Sequence, residues 1–442
     1  MTVGISAVLL FLNLFAFVFI IQPVKAQAGS IHIRPDGSID PATANITTQD
    51  NVTYTFTGDI HDELDVERDN IVVDGAGYTL QMSAGAPRVG VLLIDRINVT
   101  IEYVKIKTFS EGIHLQNSSG NSLFRNIITG SENDTNASVS TITGIFLYSS
   151  SDNSISENNI TISILPTPEP SSLGISIMSS SGYNTISENT IENSFEGIGL
   201  YSSSNYVSGN TLRNNYYGIG VDSNNNTISE NTVTSGKYGI ELAHCSNTIL
   251  SGNNVTENSE NGIILYPGAL SNVLLGNYIA SNDRGIILWE ASDNSIYHNS
   301  FVNNSQQVHI LAPGYYNSWD NGYPSGGNYW SDYDGADFYS GPYQNVSGSD
   351  GIGDTSYVIN SEDRDNYPLF PPEKMRDLMI EEYNKLESAY NDLQSKQETT
   401  VRELDNIRNL VYLFISTTII FMAATVYLTV RRPRAKSESR TT

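Results

Sequence analysis

A glycine followed by an aliphatic residue returns at a near-constant interval through the middle of this 442-residue chain, and this repeat limits the fold more than any other feature. Where no insert intervenes the step is 21–23 residues, and the glycines are Gly90, Gly112, Gly144, Gly174, Gly197, Gly218, Gly239, Gly262 and Gly285. The two longer steps contain a polar insert at 131–140 and a Pro-rich insert at 166–171, and a tenth unit without glycine fits at 307–310. A unit this short cannot bury its own apolar face, so the units must stack around one continuous core.

Each unit also carries the pattern Asn-x-Ile-x-x-Asn-x-Ile, seen at Asn184, Ile186, Asn189 and Ile191. Alternating aliphatic residues are typical of short strands with one buried face. Glycine and asparagine tolerate left-handed backbone, so we expect them to turn the corners, with stacked asparagine amides bonding from coil to coil. The repeat therefore predicts an all-β fold over residues 29–312, a right-handed parallel β-helix of about ten coils with an N-terminal cap.

Two apolar segments lie near the ends of the chain. Residues 1–24 carry no charge and are followed by small residues, which predicts a signal peptide over 1–28; the missing basic N-terminal region leaves an uncleaved anchor as the alternative. Residues 410–430 are uncharged, long enough to cross a bilayer, and followed by four basic residues. They predict a single transmembrane helix, with the tail 431–442 in the cytoplasm and the bulk of the chain outside the cell. The alternative is a buried core helix.

A heptad-like seam precedes this span. Between residues 375 and 411 there is no Pro or Gly, and mostly apolar residues recur at alternating steps of four and three from Met379 to Val411. Residues 373–409 are therefore predicted to form an α-helical, coiled-coil-like stalk through which the protein forms a homo-oligomer. A single amphipathic helix resting on the membrane or on the β-helix is the alternative.

Residues 313–372 are rich in Gly, Tyr and Asp. They contain Trp319-Asp-Asn-Gly, Gly327-Asn-Tyr-Trp-Ser-Asp-Tyr333, Asp350-Gly-Ile-Gly-Asp-Thr-Ser-Tyr357 and Asp365-Asn-Tyr-Pro-Leu369. These motifs resemble the C-terminal signature of the NosD-like β-helix proteins, and the resemblance covers roughly residues 70–370. It implies the β-helix fold and, as one candidate function, an accessory role in copper-site maturation. We expect this segment to cap the last coil through Trp319, Tyr329, Trp330, Tyr333, Tyr357 and Pro368.

The metal-binding residues favour calcium over copper. No two of the six histidines lie within four residues of each other, and Met178 stands alone in the repeat, so copper binding is not expected. Hard oxygen ligands on turns are what calcium prefers, and the candidate ligands are Asp332, Asp334, Asp337, Asp350 and Asp354. The alternative is an acidic turn pair closed by aromatic residues without metal.

On the glycine-containing strands, residues that alternate with the aliphatic ones should face solvent. The aromatic residues predicted on that face are Tyr148, Tyr201, Tyr217, Tyr238, Tyr266 and Trp289, with Gly199 and Gly220 leaving a shallow saddle between them. Sugar rings stack on exposed aromatic side chains, so this stripe is a candidate glycan-binding surface. Tyrosine also simply suits β-strands, which is the alternative.

The same face carries a carboxylate pair. Asp222 and Glu241 are predicted on adjacent coils, roughly 8 Å apart, within the range of an inverting glycosidase pair. An acidic surface also produces such pairs by chance. The leading hypothesis is therefore a membrane-anchored extracellular protein that binds polysaccharide or surface-layer components, or serves as an envelope scaffold, without catalysis. The alternative is a polysaccharide hydrolase or lyase.

Composition excludes other classes. The net charge of −25 argues against nucleic-acid partners, and a single cysteine, Cys245, excludes a disulfide framework. Eleven Asn-x-Ser/Thr sequons make N-linked glycosylation a further prediction, although a chain this rich in Asn and Ser also forms sequons by accident.

Overall fold

The computed structural model of the chain describes residues 30–81, 89–131, 142–163, 172–312, 314 and 316–370, with isolated positions between 388 and 422. The predicted signal peptide, stalk, membrane span and basic tail lie outside the described residues, apart from those isolated positions. Among the residues that are described, no helix is long and apolar enough to cross a bilayer. The chain divides into two units, 1–370 and 371–442, and the first contains all the elements below.

The first long sheet carries the repeat glycines. Within the described ranges it has 13 strands, parallel except for the edge strand Ile39–Asp40. In spatial order they are Ile39–Asp40, Ile31–Ile33, Leu64–Val66, Val89–Ile94, Glu111–Gln116, Ile142–Tyr148, Ser172–Met178, Glu196–Leu200, Tyr217–Val221, Tyr238–Leu242, Asn261–Leu265, Arg284–Trp289 and Gln306–Ala312. Each strand pairs with the strand one coil later, as a β-helix requires.

Two further sheets complete each coil, and both are parallel apart from one antiparallel pair at the N-terminal edge of the second. The second comprises Ile46–Thr47, Thr53–Phe56, Ile71–Asp74, Val99–Glu102, Ser122–Phe124, Ser154–Ser156, Thr185–Ser187, Tyr206–Ser208, Thr227–Ser229, Ile249–Ser251, Val273–Leu275 and Ser295–Tyr297. The third comprises Thr79–Gln81, Lys105–Lys107, Ile127–Ser131, Asn159–Ser163, Thr190–Glu192, Thr211–Arg213, Thr232–Thr234, Asn254–Thr256, Tyr278–Ala280, Ser300–Val302 and Tyr329–Trp330. The predicted parallel β-helix is therefore confirmed, and two more rungs, Ile31–Ile33 and Leu64–Val66, precede the ten found in the sequence.

The core between the three sheets is aliphatic. In the first sheet, Ile198, Ile219 and Ile240 occupy the same register position in consecutive coils, and all three are fully buried. The equivalent positions of the other two sheets are filled in the same way, for example by Ile186 and Ile191. Burying these columns removes a continuous apolar surface from water, which is the main force holding the coils together.

Stacked asparagines line the corner between the second and third sheets. The side-chain oxygen of each accepts hydrogen bonds of 2.8–3.0 Å from the backbone N–H and the amide of the asparagine one coil earlier. The ladder is continuous through Asn126, Asn158, Asn189, Asn210, Asn231, Asn253, Asn277, Asn299 and Asn328. Bonding of the asparagine amides from coil to coil is thus as expected.

The prediction that glycine and asparagine take left-handed backbone at the corners holds in part, since Gly209, Gly252, Asn193 and Asn214 have positive φ angles. At the ladder corner, the residue before each of the first eight ladder asparagines has left-handed backbone whatever its type, for example Glu188, Gly209 and His298. The repeat glycines are needed for another reason. A Cβ atom on Gly218 or Gly239 would collide with the carbonyl oxygen of the glycine in the next coil, so glycine allows the coils to approach closely.

Residues 316–370 cover the end of the last coil. Tyr329–Trp330 adds a strand to the third sheet, pairing with Ser300–Val302. The Trp330 ring stacks on Phe301 on one side and on Tyr357 on the other, with centroid separations of 4.4 and 4.2 Å. Two short antiparallel pairs, Tyr339–Ser340 with Val346–Ser347 and Tyr357–Val358 with Arg364–Asp365, lie in the same segment.

A buried carboxyl group anchors this segment. Asp365 is fully buried and accepts hydrogen bonds from the backbone N–H of Asn328 at 2.6 Å and from the Trp330 indole at 2.9 Å. The Asn328 side chain in turn ends the asparagine ladder. The last coil, the ladder and the C-terminal segment are therefore joined through adjacent residues.

Candidate functional site

Three carboxyl groups lie together on the outer face of the first sheet, and we call Glu196, Asp222 and Glu241 the carboxylate cluster. Gly199, Gly220 and Glu241 occupy one register position in successive coils. A Cβ atom at either glycine would collide with the Glu196 carboxylate, so that carboxylate lies over both glycines. The predicted open saddle is therefore wrong, because the Glu196 side chain fills it.

The placement of Glu241 also differs from the prediction. Its outward position in the strand is as expected, but the residue is only 2 % exposed and does not project into solvent. Its Oε1 accepts a 3.3 Å hydrogen bond from the Tyr266 hydroxyl, and Tyr201 donates a 2.7 Å hydrogen bond to Glu196 Oε2. Two of the three carboxyl groups thus each accept a hydrogen bond from a tyrosine, Glu196 from Tyr201 of its own coil and Glu241 from Tyr266 of the next coil.

Burial raises the pKa values of all three carboxyl groups in this cluster. Burial, helped by the nearby Asp222 charge and opposed by the Tyr201 hydrogen bond, raises the pKa of Glu196 to about 7. Burial, together with the Glu196 charge, raises the pKa of Glu241 well above its usual range. Burial also raises the pKa of Asp222, against the effect of His244, whose Nδ1 lies 3.4 Å from Asp222 Oδ1. Strongly shifted carboxyl groups on one surface are typical of functional sites.

Asp222 has a further distinguishing feature. Its side chain is 7 % exposed, and its Oδ2 has no hydrogen-bond partner among the residues the structure describes. A buried carboxylate oxygen without a donor is costly, so the arrangement suits a group that acquires a partner when a ligand binds.

The six predicted aromatic residues lie on this sheet in the expected order but are half-buried. Tyr217 and Tyr238 stack face to face at 5.0 Å, and Tyr266 contacts Trp289 at 5.9 Å between ring centroids. Aromatic side chains one coil apart pack against one another, which covers much of each ring. Tyr148 lies two coils before Tyr201, outside these pairs.

An open groove of about 400 Å³ adjoins the cluster at the corner between the first and second sheets. Tyr183 and Tyr201 contribute its aromatic surface, and Tyr183 is 63 % exposed. The remaining lining residues are small and mainly hydroxyl-bearing: Ser151, Ser180, Gly182, Ser202, Ser203 and Ser223. Ser223 directly follows Asp222, which places the groove beside the cluster.

Sequence reasoning missed Glu196 and Tyr183. Glu196 stands immediately before a repeat glycine, at the position that Tyr217 and Tyr238 hold in the next two coils. This shared position could have placed Glu196 on the same outer face as the two tyrosines. Tyr183 stands before Asn184, at a corner between the first and second sheets, with φ of 59°. Corner residues vary in type, so no pattern identified it.

The aspartates predicted to bind calcium mostly accept hydrogen bonds within their own segment. Asp337 accepts them from the N–H groups of Asp350 and Gly351, and Asp354 from those of Phe338 and Tyr339. Asp350 accepts one from Ile352, and Asp332 accepts one from the Tyr357 hydroxyl. Among the described residues, the group of three or more His, Cys, Asp or Glu side chains close enough to share a metal ion lies elsewhere, at His32, Asp65 and Glu67.

Comparison with known proteins places the chain among β-helix proteins. A family model described as a right-handed β-helix region matches residues 69–241, and the model of the periplasmic copper-binding protein NosD matches residues 200–335. No curated protein matches the chain.

Solved structures similar to the chain include the periplasmic alginate epimerase AlgG, at 14 % identity over 62 % of this chain and 80 % of that one, with a TM-score of 0.47. A tailspike mutant of the E. coli bacteriophage HK620, solved with a pentasaccharide, is 11 % identical over 55 % of this chain and 52 % of that one, with a TM-score of 0.43. The two family matches, together with the parallel register of the three sheets, carry the assignment. The chain is a NosD-like parallel β-helix protein.

Proposed function

We propose that this β-helix binds carbohydrate, without catalysis, in the groove between Tyr183 and Tyr201. The observation that carries the proposal is the lining of that groove, two aromatic side chains and a set of serine hydroxyls in an open depression of about 400 Å³. Pyranose rings place their C–H faces on aromatic rings and exchange hydrogen bonds with hydroxyl groups. An open groove suits part of a polymer better than an enclosed small molecule.

The covering of the carboxylate cluster favours binding over turnover. Glu196 and Glu241 are 6 % and 2 % exposed, and each accepts a hydrogen bond from a tyrosine hydroxyl. A catalytic acid or base must come within hydrogen-bonding distance of the reacting oxygen. A glycan lying on this face would meet tyrosine before it met either carboxyl group.

A glycan array probed with the full-length protein tests the proposal. We expect Tyr183→Ala to weaken binding about fivefold to tenfold, since an aromatic contact contributes on the order of 1 kcal/mol. Tyr206→Ala is the matched control, because Tyr206 is 51 % exposed on the second sheet and does not line the groove. Equal losses in both variants, or no bound glycan at all, would reject the groove.

Hydrolysis of a polysaccharide is the second candidate function, and the pKa of Glu196, raised to about 7, favours it, since a general acid needs such a value. In this alternative the general acid and the general base are drawn from the carboxylate cluster, Glu196, Asp222 and Glu241. If the protein released reducing sugar from the bound glycan, and Asp222→Asn abolished that release but retained binding, hydrolysis would be the better supported function. Binding without release would leave the first proposal in place.

The copper-maturation role that the family description implies fits this chain poorly. Copper(I) needs thiolate or thioether ligands, yet Cys245 is fully buried and burial raises the pKa of its thiol to about 12. Apart from His32, none of the six histidines is part of a cluster that could hold a metal ion within the described ranges. The side chains of the described residues therefore do not fit a copper site.

We retain two further proposals that concern anchoring and calcium. The β-helix is held outside the cell by the predicted C-terminal span, where it serves in the envelope. Calcium in the segment 316–370 would have to displace the N–H donors that now bond to Asp337 and Asp354. Equal thermal midpoints of the full-length protein in calcium and in chelator would show that calcium does not stabilise the folded protein.

A further inference from the structure

A second polar cluster lies near the N-terminal edge of the first sheet, far along the chain from the groove. His32 and Asp65 are register partners on the adjacent strands Ile31–Ile33 and Leu64–Val66, and Glu67 follows the second strand directly. His32 Nδ1 lies 2.9 Å from Glu67 Oε1 and 3.5 Å from Asp65 Oδ2. One donor atom from each of the three side chains lies within 4.8 Å of the other two.

These side chains are withdrawn from solvent. Their exposed fractions are 10 % for His32, 16 % for Asp65 and 27 % for Glu67. The Asp65 and Glu67 carboxylates are partly buried and both approach His32 Nδ1. A cation bound between them would reduce their electrostatic repulsion.

The surrounding residues hold Glu67 in place. Arg34 Nη1 contacts both Glu67 carboxylate oxygens, at 3.2 and 3.4 Å, and Arg34 Nη2 also bonds Asp40 at 2.7 Å. Arg96 Nη1 donates a 2.7 Å hydrogen bond to the Glu67 carbonyl oxygen. Outer partners of this kind fix the orientation of ligand side chains in metal sites.

We propose that His32, Asp65 and Glu67 bind one divalent metal ion of the zinc class. The imidazole nitrogen and two carboxylate oxygens supply three ligands, and water completes a tetrahedral site, as in zinc centres with an open position. The ion takes the place of the hydrogen that His32 Nδ1 now directs at Glu67, and that hydrogen moves to Nε2 or leaves as a proton. Calcium is disfavoured, because it prefers six to eight oxygen ligands.

This site is independent of the proposed glycan groove. Its residues precede both segments that the family models match, 69–241 and 200–335, and they share no side chain with the carboxylate cluster. Loss of one site would therefore leave the other unchanged.

Calorimetric titration of the full-length, chelator-treated protein with Zn²⁺ tests the proposal. We expect one equivalent to bind, an increase in thermal midpoint with Zn²⁺, and little effect of Ca²⁺. Asp65→Asn and Glu67→Gln should each weaken Zn²⁺ binding at least about tenfold. The control is His114→Gln, since His114 also bonds a carboxylate on the same sheet, that of Glu111, but no third ligand lies near it among the described residues.

Thermal midpoints in chelator show whether each variant is folded, so that loss of binding is not confused with loss of structure. Absence of Zn²⁺ binding to the wild-type protein would overturn the proposal. So would equal weakening by His114→Gln, or unchanged affinity in both folded ligand variants.

Discussion

At the scale of single residues, the Glu196 carboxyl group links the stability of the β-helix to pH. Its folded-state pKa of about 7 lies above the ordinary value of 4.5, so between these values the folded protein keeps a proton that the unfolded chain releases. The stability due to this group is therefore complete below about pH 4.5 and is lost as pH rises through 7, by on the order of 3 kcal/mol. Glu241 acts in the same direction.

We expect Glu196→Gln to flatten this dependence, because the amide has no proton to release. The measurement is the urea midpoint of the wild-type protein and the variant at pH 5 and pH 8. Glu230→Gln removes an exposed carboxylate at a corner and should leave the slope as it is. If Glu196→Gln shows the wild-type slope, Glu196 does not carry the effect.

The asparagine ladder makes a separate prediction at this scale. The buried Asn210 amide donates to the carbonyl oxygen of Ile186 at 2.8 Å and to Asn231 Oδ1 at 2.9 Å. Asn210→Asp would direct a carboxylate at these oxygens, so we expect a loss of about 3–5 kcal/mol, as for an unpaired buried charge. Urea unfolding measures it, and the exposed Asn214→Asp should change little. Similar midpoints for the two variants would contradict a structural role for the ladder.

At the scale of elements, the segment 316–370 determines whether the last coil is covered. Trp330 lies between Tyr357 and Phe301, and Phe301 belongs to the neighbouring third-sheet strand Ser300–Val302. Removing this ring should expose the end of the core and the edge of the third sheet, both of which promote association between molecules.

We expect Trp330→Ala to cost about 3–5 kcal/mol of stability and to produce dimers or larger species. Urea unfolding and light scattering after size-exclusion chromatography would measure the two effects. Tyr343→Ala is the control, since Tyr343 is 83 % exposed in the same segment. A stable, monodisperse Trp330→Ala variant would show that the segment is not needed as a cover.

At the scale of the whole molecule, the arrangement of charge around residues 410–430 predicts the topology. Four basic residues follow this apolar run and favour the cytoplasmic side. Protease added to intact cells should therefore remove the β-helix and leave a short C-terminal fragment with the membrane. Cells that are first opened provide the control for protease activity, and a β-helix protected in intact cells would overturn the topology.

The candidate site was only partly predictable from the sequence. Asp222 and Glu241 were found because their spacing from the repeat glycines places both on the outer face of the strands. Whether that face is open depends on neighbouring coils, and the Glu196 side chain crosses from its own coil to lie over Gly220 of the next. Such a contact depends on the rotamer of a long side chain, which spacing along one coil does not specify.

The sequence by itself determined the β-helix, its period, its buried aliphatic columns and its asparagine ladder, because each depends on spacing repeated in every coil and so leaves a periodic signal. Tertiary structure alone decided that residues such as Glu188 also take left-handed corners, why the repeat glycines are required, and how His32 meets Asp65 and Glu67. These features arise from the register between one coil and the next. Register brings together residues more than 30 positions apart in the chain, such as His32 and Glu67, and such a single contact is not repeated elsewhere in the sequence.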